Sequence, residues 1–304
     1  MTAPDPVGRP AGGTVAAPPA RPGDPRSGPP GSAVDDHCVM KICFAGITGW
    51  TARPILAAIH QSDDLTLVSG VSRSSAGRSL GEVTGLGFDG EVFATVAEAL
   101  AASSADVMID YTSAAAVADN VTAALKAGTH VVLGSSGLTS DDYLRLDRQA
   151  HEAGLGIIAA GNFSILAAVL RRAATMAAEH TEHWEIIDYA SDEKPDVPSG
   201  TSRELAETLA AIHEPTTTVE AADTYGPVEA RGVAVGGTHI HSVRLPSYVV
   251  TTEIVFAAPG ERLSIRHDPG LTADPYVAGT LIAVRAVSQR VGLTRGLDTL
   301  LFAR

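Results

Sequence analysis

The feature that most constrains this chain is an alternation between Met40 and Ala160. The runs Ile42 to Ala45, Leu65 to Val71, Val107 to Tyr111, His130 to Leu133 and Ile157 to Ala160 read as strands with no solvent-facing side. Between them lie helical segments. One carries Ala52, Ile55, Leu56 and Ile59 on a single face, and an Ala-rich one ends near Gly128. A third opens at Thr139-Ser140-Asp141-Asp142, which has capping-box form, and stops near Gly154. Strand and helix in strict turn predict a parallel sheet joined by right-handed crossovers. Such strands are covered on both sides and need aliphatic side chains. The chain supplies them, being 45% hydrophobic but only 5% aromatic.

After Gly161 the pattern changes. A helix from about Ser164 to His180 leads to a strand at Trp184 to Tyr189, and a further helix starts at Thr201. Three β-rich stretches follow, Val233 to Val243, Tyr248 to Phe256 and Arg262 to Arg266, and then a helical segment from Tyr276 to Val291. The prediction is an α/β protein: a Rossmann-like parallel-sheet domain over 39–161, with 272–304 packing back on it, and an α+β domain with a mixed sheet over 162–271. Its 304 residues allow two such cores. Residues 1–38 stand apart, since half of the 18 prolines fall between Pro4 and Pro30. With little to bury there, that tail is expected to be disordered. It has no apolar centre of signal-peptide type, so export is not indicated, and Met40-Lys41 would be a natural alternative beginning.

A net charge of −13 argues against nucleic-acid and anionic-membrane binding, both of which need clustered Lys and Arg. No apolar run approaches membrane-spanning length. Cys38 and Cys43 suggest neither a disulfide framework nor a metal site, because the second lies in a predicted buried strand. A reducing cytoplasm is the expected location.

Gly46-Ile47-Thr48-Gly49-Trp50-Thr51-Ala52 sits between the first strand and the first helix. Glycines at 46 and 49 let the backbone approach a pyrophosphate, and the helix start adds amide donors and a favourable dipole. A cofactor with a free ribose 2′-hydroxyl would call for an acidic residue after the second strand. Ser72 and Arg73 stand there instead and suit a 2′-phosphate, so NADPH is the expected cofactor, with NADH the other candidate. Arg53 is an alternative helper, and an Arg73 that is simply solvated is the competing reading.

Further along, Asp110-Tyr111-Thr112 and Gly134-Ser135-Ser136-Gly137-Leu138 resemble two loops of the dihydrodipicolinate reductase family. Asn162-Phe163-Ser164 resembles its domain-crossing segment, and Lys194-Pro195-Asp196-Val197-Pro198-Ser199-Gly200-Thr201 its K-x-D-x-P-S-G-T motif. His241-Ser242-Val243-Arg244-Leu245, Gly260-Glu261-Arg262, Arg266-His267-Asp268 and Gly279-Thr280-Leu281 continue the match in order, closest to the actinobacterial branch. The resemblance implies that Tyr111, Thr112, Gly134, Ser135 and Ser136 border the nicotinamide and that Asn162 and Phe163, in the crossing segment, also bind the cofactor. It also implies that Lys194, Ser199, Gly200 and Thr201 hold a substrate carboxylate, and that the protein is a homotetramer built through the second sheet. The motif makes physical sense by itself: Pro198 sets a turn, and Ser199 to Thr201 open a helix with free amides beside the Lys194 ammonium.

The pattern breaks at three points of one predicted pocket. The family's adjacent histidines, four and three residues before the lysine, are Ala190 and Ser191 here; Thr251-Thr252-Glu253 lacks a histidine, and Leu271 to Asp274 lacks an arginine. Lys194 remains as proton donor, with Tyr189 second. Asp188, Asp192 and Glu193 form an acidic stretch that suits a cationic substrate amine or, equally, a solvated loop. His239 and His241 share a strand face, with no evident partner for a metal. The leading expectation is an NADPH-dependent reductase of a carboxylate-bearing imine, with a substrate site altered from the family's. The alternatives are the family's own reduction of 4-hydroxy-tetrahydrodipicolinate in lysine and diaminopimelate biosynthesis, with Lys194 as acid; a non-catalytic nucleotide-binding relative; and an amino-acid dehydrogenase of similar architecture.

Overall fold

The computed structural model describes residues 39–302. The proline-rich tail and Cys38 lie outside the described residues.

The predicted alternation of five strands is present, with α2, β3 and α3 added between its second and third strands: β1 (Met40–Ala45), α1 (Ala52–His60), β2 (Leu65–Val71), α2 (Leu80–Thr84), β3 (Glu91–Phe93), α3 (Val96–Ala102), β4 (Val107–Asp110), α4 (Val117–Lys126), β5 (His130–Leu133), α5 (Ser140–Ala153) and β6 (Gly156–Ala159). Past Gly161 come α6 (Ile165–Ala178), β7 (His183–Ala190), α7 (Gly200–Ala210), β8 (Val233–Val235), β9 (Thr238–Arg244), β10 (Val250–Ala258), β11 (Glu261–His267), α8 (Pro275–Val287), β12 (Gly292–Arg295) and α9 (Leu297–Leu301).

The larger sheet has the order β12-β6-β5-β4-β1-β2-β3, and every pairing is parallel. From β3 to β6 this is the strand order of dinucleotide folds. Its direction of winding reverses between β1 and β4, where such sheets open a crevice at the strand carboxyl ends. Ile42 and Phe44 face one side of the sheet, with Ile55, Ile59 and Val284; Cys43 and Ala45 face the other, with Val121 and Leu146. Each such aliphatic or aromatic side chain, fully buried, contributes roughly 1.5–3 kcal/mol.

The smaller sheet, in the order β11-β10-β7-β9-β8, is mixed: β7 and β9 run parallel, and the other neighbours are antiparallel. Trp184, Ile186, Ile240, Ile254 and Phe256 on one face pack against Leu170 of α6 and Leu205 and Leu209 of α7.

Three expectations change. The stretch Val233 to Val243 is a hairpin, turned at Gly236-Gly237, where both φ values are positive. Strand β10 begins at Val250 rather than Tyr248, because Ser247 takes a left-handed φ of 68°. The last segment is helical only to Val287, after which β12 extends the larger sheet beside β6.

Candidate active site

The turn after β1 is shaped by two constraints. Gly46 has φ +86°, and a side chain there would run into the carbonyl of Tyr111, so the backbone passes where only glycine fits. The N-cap of α1, Thr51, makes no side-chain cap bond, whereas Ser79, Thr95 and Thr139 cap α2, α3 and α5 with complete capping boxes. The amides of Thr48, Trp50 and Thr51 carry no hydrogen bond among the described residues. Open amides at an uncapped helix start fit a pyrophosphate.

At the end of β2 the Ser72 hydroxyl lies 3.2 Å from that of Thr48 and 3.2 Å from that of Ser74. Arg73 beside them is exposed and bonds to no described residue. Three hydroxyls and an uncommitted guanidinium fit a 2′-phosphate; Ser74 is the member that sequence reasoning missed. Arg53 is exposed on α1 and lines a groove with Thr48, Gly49 and Trp50 of the same turn and Leu86.

Asp110 ties the two following loops together. Fully buried, it accepts from Thr112 N (3.0 Å), Thr112 Oγ1 (2.8 Å), Ser135 Oγ (2.5 Å) and Asn120 Nδ2 (2.9 Å). Tyr111 then turns inward, stacked on Phe44 and edge-on to Phe163. Its hydroxyl donates to Thr280 Oγ1 (2.8 Å), whose own proton goes to the Tyr276 carbonyl. Burial pushes the phenol pKa well up, so Tyr111 is a neutral pillar rather than an acid. Gly134 lies against its ring with no room for a side chain.

A cleft of about 300 Å³ joins the two halves of the site. Trp50, Thr51, Tyr111, Gly134, Ser136, Asn162 and Phe163 line it from one side; Lys194, Ser199, Gly200 and Thr201 line it from the other. Val249, Val250 and Tyr276, which the sequence did not single out, complete the wall. Asn162 Oδ1 accepts from Ser164 N (2.8 Å), which shapes the crossing into α6. Lys194 Nζ is 2.7 Å from Asp196 Oδ1, and both side chains are partly buried.

Ser199 needs correcting as a substrate contact. Its N–H (2.9 Å) and Oγ–H (2.6 Å) both donate to Asp188, and its oxygen caps Ser202 N, so it builds the helix start instead of offering a donor to the cleft. Thr201 Oγ1 donates to the Gly161 carbonyl (3.0 Å). What remains open for a carboxylate is the pair of amides of Gly200 and Thr201, with the Lys194 ammonium nearby.

Tyr189 needs correcting as well. Side chains alternate across β7, and Tyr189 points to the face opposite Asp188 and Ala190, outside the cleft. There its hydroxyl donates to Glu253 (3.3 Å), its ring stacks on Tyr248, and Arg266 lies over it. Partial burial and the Glu253 charge raise its pKa, making it a poorer acid.

Asp188 is neither solvated nor aimed at substrate: it is fully buried and paired with Arg244 at 2.8 Å. Burial pushes its pKa up, but the hydrogen bonds from Ser199 and the Arg244 charge more than offset this and hold it below the usual carboxylate range. Asp192 and Glu193 are exposed. Ala190 is fully buried, and Ser191 closes a turn by accepting from Glu193 N (3.2 Å). Thr251 donates to Asp268 (2.9 Å), and Thr252 lies 3.3 Å from the Ser202 hydroxyl. His239 bonds the Arg231 carbonyl (2.8 Å) and His241 bonds Glu185 (2.7 Å). No group of three metal-ligating side chains occurs among the described residues.

Known proteins resemble this chain from residue 40 to residue 301. The pattern described as "Dihydrodipicolinate reductase, N-terminus" matches residues 40–163, and "Dihydrodipicolinate reductase, C-terminus" matches 163–301. The 4-hydroxy-tetrahydrodipicolinate reductase of Synechococcus elongatus is 36% identical over 271 residues, covering 86% of this chain and 98% of that one. The protein of the same description from Desulfitobacterium hafniense is 33% identical over 264 residues, covering 86% and 98%. Among solved structures, the dipicolinate-bound dihydrodipicolinate reductase from Paenisporosarcina sp. TG-14 superposes with a TM-score of 0.66 at 24% identity, covering 86% of this chain and 99% of that one. The amine dehydrogenase from Mycobacterium smegmatis gives 0.58 at 15%, covering 85% and 95%, a likeness of fold alone.

Proposed function

The chain belongs to the dihydrodipicolinate reductase family, a family of nicotinamide-dependent oxidoreductases, and on that premise we propose that it reduces a carboxylate-bearing cyclic imine with NADPH, 4-hydroxy-tetrahydrodipicolinate being the substrate its relatives favour. The observation that carries this reading is the convergence on one cleft of the uncapped helix start after β1 and, at the Ser199-capped start of α7, the unbonded Gly200 and Thr201 amides beside Lys194. A bound nicotinamide supplies the hydride. The chain's own part is to hold the dinucleotide phosphates on the Thr48, Trp50 and Thr51 amides and the 2′-phosphate at Ser72 and Arg73. The substrate carboxylate then rests on the Gly200 and Thr201 amides. Holding both reactants oriented in one cleft is the chain's main contribution to hydride transfer. Lys194 gives its proton to the reduced imine and regains one from solvent.

A second reading, a different carboxylated imine, draws on Ala190 and Ser191, neither of which can replace an imidazolium acid. Assembly as a homotetramer belongs to the proposal too: among the described residues no α-helix packs on the smaller sheet's outer face where it carries Tyr189 and Arg266.

The test is loss of reduced-nicotinamide absorbance on adding freshly generated 4-hydroxy-tetrahydrodipicolinate or other carboxylated cyclic imines. Turnover of the first is expected, with Lys194→Ala lowering kcat/KM by about 10²–10⁴-fold, the usual contribution of a positioned acid. Turnover of another imine alone would select the second reading. No oxidation of NADPH with any of them would overturn both.

A further inference from the structure

One carboxylate that takes no part in the reaction above governs both groups that do. Asp188 accepts five hydrogen bonds: from Ser199 N (2.9 Å), Ser199 Oγ (2.6 Å), Ser202 Oγ (3.1 Å), Ser242 Oγ (3.2 Å) and Arg244 Nη2 (2.8 Å). A buried charge is tolerated only when it is met in this way. Two branches leave it. The first runs through Ser199 to the start of α7, where the open Gly200 and Thr201 amides lie. The second runs through Arg244, whose Nη2 also donates to the Asp196 carbonyl (2.8 Å) and whose Nη1 donates to the carbonyls of Asp188 (3.2 Å) and Val243 (3.0 Å). Asp196 in turn holds the Lys194 ammonium at 2.7 Å. The segment leading from Lys194 to α7 is therefore held at Asp196 and at Ser199 by one ion pair.

Stability gives little reason for such a pair. Replacing a buried ion pair by apolar residues of like volume is often neutral or favourable, and Arg244 even keeps its Nε buried without an acceptor. An apolar pair, however, cannot hold a backbone carbonyl and a backbone amide at fixed points. We propose that Asp188 and Arg244 are positioning residues that set the Lys194 ammonium in register with the carboxylate-binding amides of Gly200 and Thr201. This rests on the reading of those groups as the substrate site. Neither residue lines the cleft, and among the described residues neither bonds to the dinucleotide turn, which follows a strand of the other sheet.

The experiment measures three quantities on folded wild type, Asp188→Asn and Arg244→Lys: imine kcat and KM, the dissociation constant of dipicolinate as a non-reacting probe, and that of NADPH. Asp188→Asn keeps the shape but weakens both branches, and is expected to raise imine KM and the dipicolinate constant by about tenfold or more and to lower kcat, on the scale of one lost charge-assisted hydrogen bond. Arg244→Lys keeps the charge but cannot fork to Asp196, so kcat is expected to fall while KM stays within about threefold. NADPH affinity is expected to remain within about twofold in both. Folded variants with unchanged kcat, KM and dipicolinate binding would overturn the inference, as would NADPH affinity falling in parallel with the rest. A wild type that turns over no imine yet binds dipicolinate would sink the catalytic reading while leaving the dipicolinate arm to decide this one. Binding of neither would overturn both.

Discussion

Arg73 stands at the end of β2 with an exposed guanidinium and no described partner, beside the Thr48, Ser72 and Ser74 hydroxyls. Removing one charge-assisted contact to a 2′-phosphate is worth about 1.5–3 kcal/mol. Arg73→Ala is accordingly expected to reduce the preference for NADPH over NADH by roughly 10–100-fold, read as the ratio of the two dissociation constants; an unchanged ratio would remove Arg73 from the site. Lys194 and Tyr189 show what residue type alone leaves open. Both carry a transferable proton and lie close in the chain, but only Lys194 reaches the cleft. The alternation of β7 separates them, because Tyr189 sits one step from Asp188 and thus on the other face. That signal was present in the chain; it needed the strand to be carried through to Ala190. Asp188 was less legible, since a carboxylate before Asp192 and Glu193 looks solvated until Arg244, far along the chain, is brought beside it.

At the scale of elements, the helix starts are the most informative. Thr139 and Asp142 cap α5 reciprocally (Thr139 N to Asp142 Oδ2, 3.0 Å; Asp142 N to Thr139 Oγ1, 3.1 Å), as their spacing predicts. Thr139→Ala is expected to cost about 1 kcal/mol and to lower Tm by roughly 2–4 °C in a thermal melt, with NADPH affinity unaltered. Gly46→Ala tests the opposite kind of helix start: its methyl would meet the Tyr111 carbonyl at a positive φ. Loss of NADPH binding by at least about tenfold is expected in calorimetric titration, and retained affinity would show that the turn does not carry the phosphates. The long strands and helices were legible because their burial is written as period. Strands β3 and β12 were not: they are short, and β12 reads Gly-Leu-Thr-Arg, strand-like only because β6 offers it a neighbouring edge.

For the whole molecule, His267 joins the end of β11 to the start of α6, just past the crossing segment 161–163. It is buried, with Nε2 3.2 Å from the Ser164 hydroxyl that caps α6. Burial lowers its pKa. A histidine lowered on folding contributes stability that is complete above its ordinary value of about 6.5 and is lost as pH falls through the lowered folded value. Tm is expected to drop between neutral and mildly acid pH, and His267→Gln to flatten that slope; equal slopes would assign the drop to other groups. Light scattering is expected to return four times the mass of the 31.2 kDa chain, and a single-chain mass would remove the tetramer from the proposal. The amino-acid sequence by itself determined the parallel sheet, the glycine turn, the capped helices and the membership marked by the lysine and Ser-Gly-Thr motif, because period, capping and turn chemistry are local properties of neighbouring residues. Only the tertiary structure decided that Ser199 serves Asp188 instead of a ligand, that Tyr189 faces away, and that Val249, Val250 and Tyr276 complete the cleft, because burial and hydrogen-bond pairing between distant segments are settled by packing.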